Sequence, residues 1–354
     1  MKGLILSGGK GTRLRPLTFT QAKQLVPVAN KPVLFYGIEA LVKAGIKEIG
    51  IVVGDTREEI QKITGDGKRW NIEITYIHQN DPLGLAHAVK ISEFFLKKDS
   101  FVMYLGDNIL KSGIEGLVSE FKKKKPNSLI LLTEVPNPKM FGVAELENGK
   151  VKKLIEKPKK PASNLALVGV YMFDHHVFEA VNSIQPSWRN ELEITDAIQY
   201  LVDNGYEVQP HIVTGWWKDT GKIQDILEAN RLILESIQGI IKGKVDSYSR
   251  INGEVIIEEG VIIQNSIIRG PAIIGADTEI KDSYIGPFTS IQKKCKIFRT
   301  ELEHSIILQG SEINNVGSRI DESLVGRDTT IYKCQNKPLV YKFIVGDQSE
   351  IAIK

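Results

Sequence analysis

From Val255 onward the apolar residues repeat every six positions: Ile256, Ile262, Ile268, Ile274 and Ile280 are evenly spaced, shadowed by Val255, Val261, Ile267 and Ile273. An α-helix repeats at 3.6 and a strand at 2, so neither produces this spacing. Related fragments recur more coarsely, as Asn265-Ser266-Ile267-Ile268, Asp282-Ser283-Tyr284-Ile285, His304-Ser305-Ile306-Ile307 and Glu322-Ser323-Leu324-Val325. The intervals between Ser266, Ser283, Ser305 and Ser323 are close to three hexads. A parallel β-helix accounts for both spacings, because each coil buries its isoleucines only by stacking on its neighbours. The Ile256-to-Ile280 row is expected to face inward. Ile285 follows Ile280 after a step shorter than a hexad, which predicts irregular coils beyond that point. A β-sandwich would need more turn signals and less even spacing.

The first 240 residues obey a different pattern, in which short apolar runs alternate with helical ones, as in crossover units on a mostly parallel, doubly wound α/β sheet. Gly3–Ser7, Glu48–Val53, Ile72–His78, Phe101–Leu105 and Leu129–Thr133 read as strands. Pro32 opens a helix with Leu34, Ile38 and Leu41 on one face, ended at Gly45. Phe141–Leu146, an Asn148-Gly149 turn and Val151–Glu156 predict a hairpin that could roof a ligand crevice. Leu165–Phe173 reads as a strand, Leu192–Asn204 and Lys222–Ile237 as helices. The expected division is therefore 1–240 and 241–354, with the boundary between Gly239 and Gly253.

With 354 residues the chain exceeds what one core usually sustains. Its 42% hydrophobic and 25% charged residues exclude a disordered chain and a membrane bundle. No apolar run approaches a membrane span and no signal segment opens the chain, so the cytoplasm is the expected location. A net charge of +3 gives no global field for nucleic acid. Lys122–Lys125 suit the negative end of a helix. Cys295 and Cys334 lack metal-ligand spacing.

Candidate chemistry begins at Leu6, where a strand empties into Gly8, Gly9 and Gly11, then Thr12 and Arg13. Backbone N–H groups of such glycines can close around anionic oxygens, with Arg13 adding a cation. A plain strand-to-helix turn is the alternative, and neither a Walker A loop nor a dinucleotide fingerprint is matched. Asp107 follows a predicted strand, and Asp219 in Trp217-Lys218-Asp219-Thr220-Gly221 precedes a helix. Two carboxylates from distant parts of the chain suit Mg²⁺ held against phosphate, although a turn and a helix cap explain each one singly. Lys23 and Lys157 could orient phosphates as point charges. Arg189 could clamp a second phosphate or pair with Glu193 on the surface. Gln79 and the Gly84 turn could hydrogen-bond a base edge, while His87 reads as a structural residue.

Gly8-Gly9-x-Gly11-Thr12-Arg13-Leu14, Lys23-Gln24-Leu25-x-Pro27, Gly84-Leu85-Ala86, Leu105-Gly106-Asp107-Asn108, Phe141-Gly142-Val143, Glu156-Lys157-Pro158, Glu191-Leu192-Glu193-Ile194-Thr195-Asp196 and Trp217-x-Asp219-Thr220-Gly221 occur in this order along the chain. Together they resemble the sugar-1-phosphate nucleotidylyltransferases, and among them the glucose-1-phosphate thymidylyltransferases of the long form, with a C-terminal left-handed β-helix. The resemblance implies a nucleotidyltransferase fold over 1–240 and a hexapeptide-repeat β-helix over 241–354. It also implies conversion of dTTP and α-D-glucose 1-phosphate to dTDP-glucose and pyrophosphate, with Mg²⁺ and no covalent intermediate.

By that resemblance Asp107 and Asp219 hold the metal. Arg13 and Lys23 meet the triphosphate, and Lys157 and Arg189 hold the attacking phosphate. Gly142, Glu156, Asn164 and Tyr171 line the sugar pocket, and Gln79 and Gly84 read thymine beside Leu6 and Gly8. The partners implied are the two small substrates and further copies of the chain, without nucleic acid or membrane. Lys10 and Asn190 depart from the usual pattern; Asn190 replaces a common glycine and leaves the pose of Arg189 open. Alternatives are a UTP-using relative, a bifunctional enzyme with acetyl transfer in the β-helix, where His304 is the last histidine, and a non-catalytic regulatory subunit.

Overall fold

Lys2–Ser7 forms strand β1, buried along its whole length. Leu4 and Leu6 enter one apolar cluster and Ile5 another on the opposite face. A strand covered on both sides needs apolar residues at successive positions, which is why this run does not alternate with polar ones. The computed structural model describes residues 1–334 and 341–353. It comprises two compact units. The first is Met1–Lys10, Gln21–Leu25 and Val33–Asp219; the second is Gly11–Thr20, Val26–Pro32 and the chain from Thr220 onward.

In the first unit, β1 is followed by helix α1 (Val33–Lys43), β2 (Glu48–Val53), β3 (Glu73–His78), α2 (Leu85–Ile91), β4 (Phe101–Leu105) and a short β5 (Asn108–Leu110). Then come β6 (Ser128–Glu134), β7 (Gly142–Glu147), β8 (Lys150–Glu156), β9 (Leu165–Phe173), α3 (Ile194–Asp203), β10 (Val208–Ile212) and β11 (Trp217–Asp219). The main sheet runs β8-β7-β9-β4-β1-β2-β3, with β6 pairing β9 and β10. Strands β4, β1, β2 and β3 are mutually parallel, as are β6 and β10. The sheet is mixed rather than uniform, because β9 runs antiparallel to β4, β6 and β7, and the β7–β8 hairpin adds its own antiparallel edge. Helix α3 starts at Ile194, later than the expected Leu192. The Leu192 backbone is already engaged, its N–H donating to Leu83 and its carbonyl accepting from Ala86.

The second unit contains helix α4 (Ile223–Leu234), a small hairpin at Pro27–Val28 and Lys31–Pro32, and three parallel sheets of short stacked strands. Successive early coils pair Ile256 with Ile273 and Ile263 with Ile280. Later coils pair Ile297 with Ile313 and Ile307 with Val325, slightly tighter and slightly looser turns of the same kind. This is a parallel β-helix. The inward row keeps the expected Ile268, Ile274 and Ile280 but departs from expectation at its start. Ile257, Ile263, Ile268, Ile274, Ile280, Ile285, Ile291 and Ile297 are buried, whereas Ile262 is 41% exposed and Ile256 lies at an intermediate position. Interior positions advance by six, five and six along one three-sided coil, so a uniform hexad drifts out of the core. The shorter step to Ile285 is part of the regular coil, not an irregularity. Corners carry hydroxyl ladders: Ser249 Oγ accepts the Ser266 N–H, Ser266 Oγ the Ser283 N–H and Ser283 Oγ the Thr300 N–H.

Candidate active site

The carboxyl ends of the parallel strands converge within the first unit, where ligands of open α/β sheets gather. The Gly106 N–H donates to the Leu6 carbonyl at 2.9 Å, joining the end of β4 to that of β1. Gly8 and Gly54 approach so closely that a Cβ on Gly54 would stand 3.0 Å from the Gly8 carbonyl. Asp107 emerges directly after β4. Strand β11 pairs antiparallel with β5, setting Asp219 opposite Asn108. The pairing is pinned by Asn108, whose Oδ1 accepts the Trp217 indole N–H at 2.5 Å and whose Nδ2 donates to Asp107 Oδ1 at 2.8 Å.

Lys23 reaches both acids: its ammonium is ion-paired and hydrogen-bonded with Asp107 and lies 3.9 Å from Asp219 Oδ1. Burial alone would push the Asp107 carboxyl up, but the Lys23 charge and hydrogen bond override it and hold the group below its ordinary value. The donor set fits a divalent cation. Two carboxylates already converge on one positive charge, and both offer hard oxygens.

A second cluster surrounds Glu156. Arg189 Nη1 lies 3.7 Å from Glu156 Oε1 and 3.2 Å from Glu193 Oε1, and Nη2 donates to Glu191 at 2.8 Å. Lys157 Nζ stands 3.6 Å from the same Glu156 oxygen. The expected Arg189–Glu193 pair is therefore present, but Glu193 is buried rather than on the surface. Burial raises the Glu156 carboxyl, with Lys157 opposing and Glu193 assisting. Tyr171, buried in β9, has its phenol raised by burial and by the Glu156 charge. Gly142 opens β7 against this cluster; a Cβ there would come within 2.7 Å of Thr195 and 3.0 Å of Glu156 Oε2. Asn190 adopts φ 59°, a left-handed conformation that glycine also takes, so the substitution preserves the turn carrying Arg189. Asn164 is exposed ahead of β9, its carbonyl accepting the Val135 N–H.

At the far side of β1, Gln79 follows β3 with its amide oxygen toward Gly8. Gly84 caps α2 at φ 106°, and any Cβ there would meet the Leu192 carbonyl at 2.4 Å, so only glycine fits. Gly9 is exposed just beyond, and Lys10 lies 3.9 Å from Asp55. Gly11, Thr12 and Arg13 group with the second unit. There Gly11 has φ 63° and its carbonyl accepts the Thr18 hydroxyl at 2.7 Å, while Thr12 and Arg13 stand exposed on a short 3₁₀ turn. Asn108 and Trp217, which meet across a long stretch of chain, and His87, which bonds Gln79, have no sequence pattern of their own that marks these roles. Their adjacency to Asp107, Asp219 and Gly84 is the available signal.

The nucleotidyl transferase family model matches residues 2–236. This chain belongs to that family. It is 52% identical to a glucose-1-phosphate thymidylyltransferase of Streptomyces antibioticus, with all of both chains covered. It is 47% identical to the low-salt glycan biosynthesis nucleotidyltransferase Agl11 of Haloferax volcanii, again over the full length of each. Among solved structures, a Bacillus anthracis protein assigned as a glucose-1-phosphate thymidylyltransferase matches with a TM-score of 0.63 and 36% identity. That match covers 69% of this chain and 98% of the other. As a nucleotidyltransferase with full-length relatives, the chain has counterparts for its β-helix as well as for its α/β unit. Among the described residues, no helix is long and apolar enough to cross a membrane.

Proposed function

We propose that this enzyme is a glucose-1-phosphate thymidylyltransferase, joining dTTP and α-D-glucose 1-phosphate into dTDP-glucose with release of pyrophosphate. The full-length identity to such an enzyme supports the reaction, and the convergence of Lys23, Asp107 and Asp219 carries the chemistry. A sugar-phosphate oxygen attacks the α-phosphorus while the bond to pyrophosphate breaks. Both substrates are anions, so catalysis rests on holding them in line against their repulsion. Lys157 and Arg189 hold the attacking phosphate. The carboxylates around Arg189 fix its guanidinium, and its five N–H donors are not exhausted by them. Lys23 meets the triphosphate, with Gly8 and Gly9 offering backbone donors; for Gly11, Thr12 and Arg13 the same role rests on the sequence motif alone. Asp107 and Asp219 would hold Mg²⁺, which neutralises phosphate charge when bound. Gly142, Glu156, Asn164 and Tyr171 border the sugar, while Leu6, Gln79 and Gly84 border the base. Residues 1–240 carry this chemistry, and 241–354 serve structure and self-association.

Radiolabelled pyrophosphate exchange into dTTP is the direct test. Exchange is expected only with glucose 1-phosphate and Mg²⁺ present, because no covalent enzyme intermediate forms. UTP is expected to support measurable exchange, since one methyl group is worth only about 1 kcal/mol in a pocket. Exchange without the sugar phosphate, or a strong preference for UTP over dTTP, overturns the assignment.

A further inference from the structure

Gln79 is nearly buried, and the nitrogen of its amide makes two contacts. Nε2 donates to the Gly84 carbonyl at 3.3 Å and lies 2.9 Å from His87 Nδ1. A carbonyl oxygen can only accept, so the end of the amide facing Gly84 is the NH₂. The same NH₂ then donates to His87 Nδ1. That bond requires a lone pair on Nδ1 and leaves the ring proton on Nε2. With its nitrogen engaged twice, Gln79 turns Oε1 toward the glycine-rich strand end, where a Cβ on Gly8 would stand 3.0 Å from it.

Which end of this amide faces outward decides what base it can read. Thymine and uracil present an N3–H donor, which an amide oxygen accepts. At the same ring position cytosine presents N3 as a bare acceptor, which repels an amide oxygen and suits an amide turned end for end. We infer that His87 is a specificity-determining positioning residue: by accepting from Gln79 Nε2 it locks the amide with its oxygen outward, and the site selects thymine or uracil over cytosine. This deepens the proposed function and rests on its assignment of Gln79 to the base.

The lock depends on the charge of the ring. Protonation at Nδ1 removes the acceptor and sets two donors against each other. Burial most strongly disfavours the protonated ring; Lys90, about one turn along α2, acts in the same direction, and Asp81, in the preceding loop, opposes them. The net direction is downward from 6.5, so the neutral, accepting ring prevails at neutral pH. Selectivity is then present at neutral pH and declines as the pH falls through the His87 pKa.

The test is the ratio of kcat/KM for dTTP over dCTP, with glucose 1-phosphate as acceptor, from pH 8 to pH 5. His87→Leu should lower the ratio about tenfold, the discrimination expected of roughly one hydrogen bond, with the dTTP loss in KM rather than kcat. His87→Gln supplies a carbonyl acceptor without a titrating ring. It should retain most of the ratio and abolish its decline at acid pH. An unchanged ratio in His87→Leu with dTTP still used overturns the inference and leaves the proposed function intact. A wild-type enzyme that uses neither dTTP nor UTP defeats the underlying reading instead. Should His87→Leu fail to fold by circular dichroism, the other two proteins decide: a ratio flat with pH in the wild type, or a collapsed ratio in His87→Gln, overturns it.

Discussion

Lys23 is the residue on which the local electrostatics turn. It is itself buried, and it neutralises an acid that burial would otherwise drive toward its protonated form. Replacing it with Met should raise the Asp107 carboxyl above its ordinary value, read from the ¹³C shift of that carboxyl during a pH titration. The sign follows from linkage. In the wild type the depressed pKa contributes stability above the unfolded value of 3.8, lost only as pH falls through the folded one. In Lys23→Met, ionised Asp107 becomes a cost above its raised pKa, so stability should decline as pH rises through it. Turnover should drop at least about 100-fold, as for loss of a preorganised charge at a phosphoryl site. An Asp107 titration unmoved by the substitution would refute this account. The acids themselves are visible in sequence, but singly each reads equally well as a turn or a cap. What the sequence cannot display is the β5–β11 pairing that brings Asp219 opposite Asn108.

At the scale of elements, the β-helix is legible as a repeat but only partly in phase: Ile268, Ile274 and Ile280 face inward as expected, Ile256 and Ile262 do not. The evenly spaced isoleucines suggest one inward row, yet a three-sided coil slightly shorter than three hexads cannot hold a strict hexad inside. Less legible still is the joint between α4, the Pro27–Pro32 hairpin and the coils. It centres on Asn230, fully buried on α4. Its Oδ1 accepts the Ala29 N–H at 2.8 Å and the Ser290 hydroxyl at 2.7 Å, while Nδ2 donates to the Phe288 carbonyl at 2.9 Å. Asparagine at a helical position otherwise suggests solvent or a cap, and only the long-range fold reveals three partners at once. Asn230→Ala leaves buried groups without their bonds and should cost about 2–4 kcal/mol, measured by urea unfolding. Asn230→Asp tests the geometry, because a carboxylate cannot donate to the Phe288 carbonyl and should cost at least as much. A change below about 0.5 kcal/mol in both, the size usual for exposed positions, would show that the joint does not rest on this side chain.

For the whole molecule, the order of residues in the chain and the order of units differ. The chain passes between the two units at Lys10–Gly11, Thr20–Gln21, Leu25–Val26, Pro32–Val33 and Asp219–Thr220. The onset of the repeat marks where the coils begin, near residue 240, and the compact unit of the coils also takes in 11–20, 26–32 and the chain from Thr220. The Asn30 amide makes the point, donating at 2.7 Å to the carbonyl of Ile291, far along the chain. A solenoid transmits disturbance to its nearest neighbours, so a cavity in one coil should loosen what is fastened to the next. Ile274 is fully buried and stacks on Ile291 in the following coil. Ile274→Ala should cost about 2–5 kcal/mol and speed hydrogen exchange in the coils. Because the hairpin and α4 belong to the same unit, amides of 26–32 and 223–234 should lose protection with the coils, while those of β1 to β4 keep theirs. Faster exchange confined to the coils would mean that the N-terminal segments do not share the coils' cooperative unit.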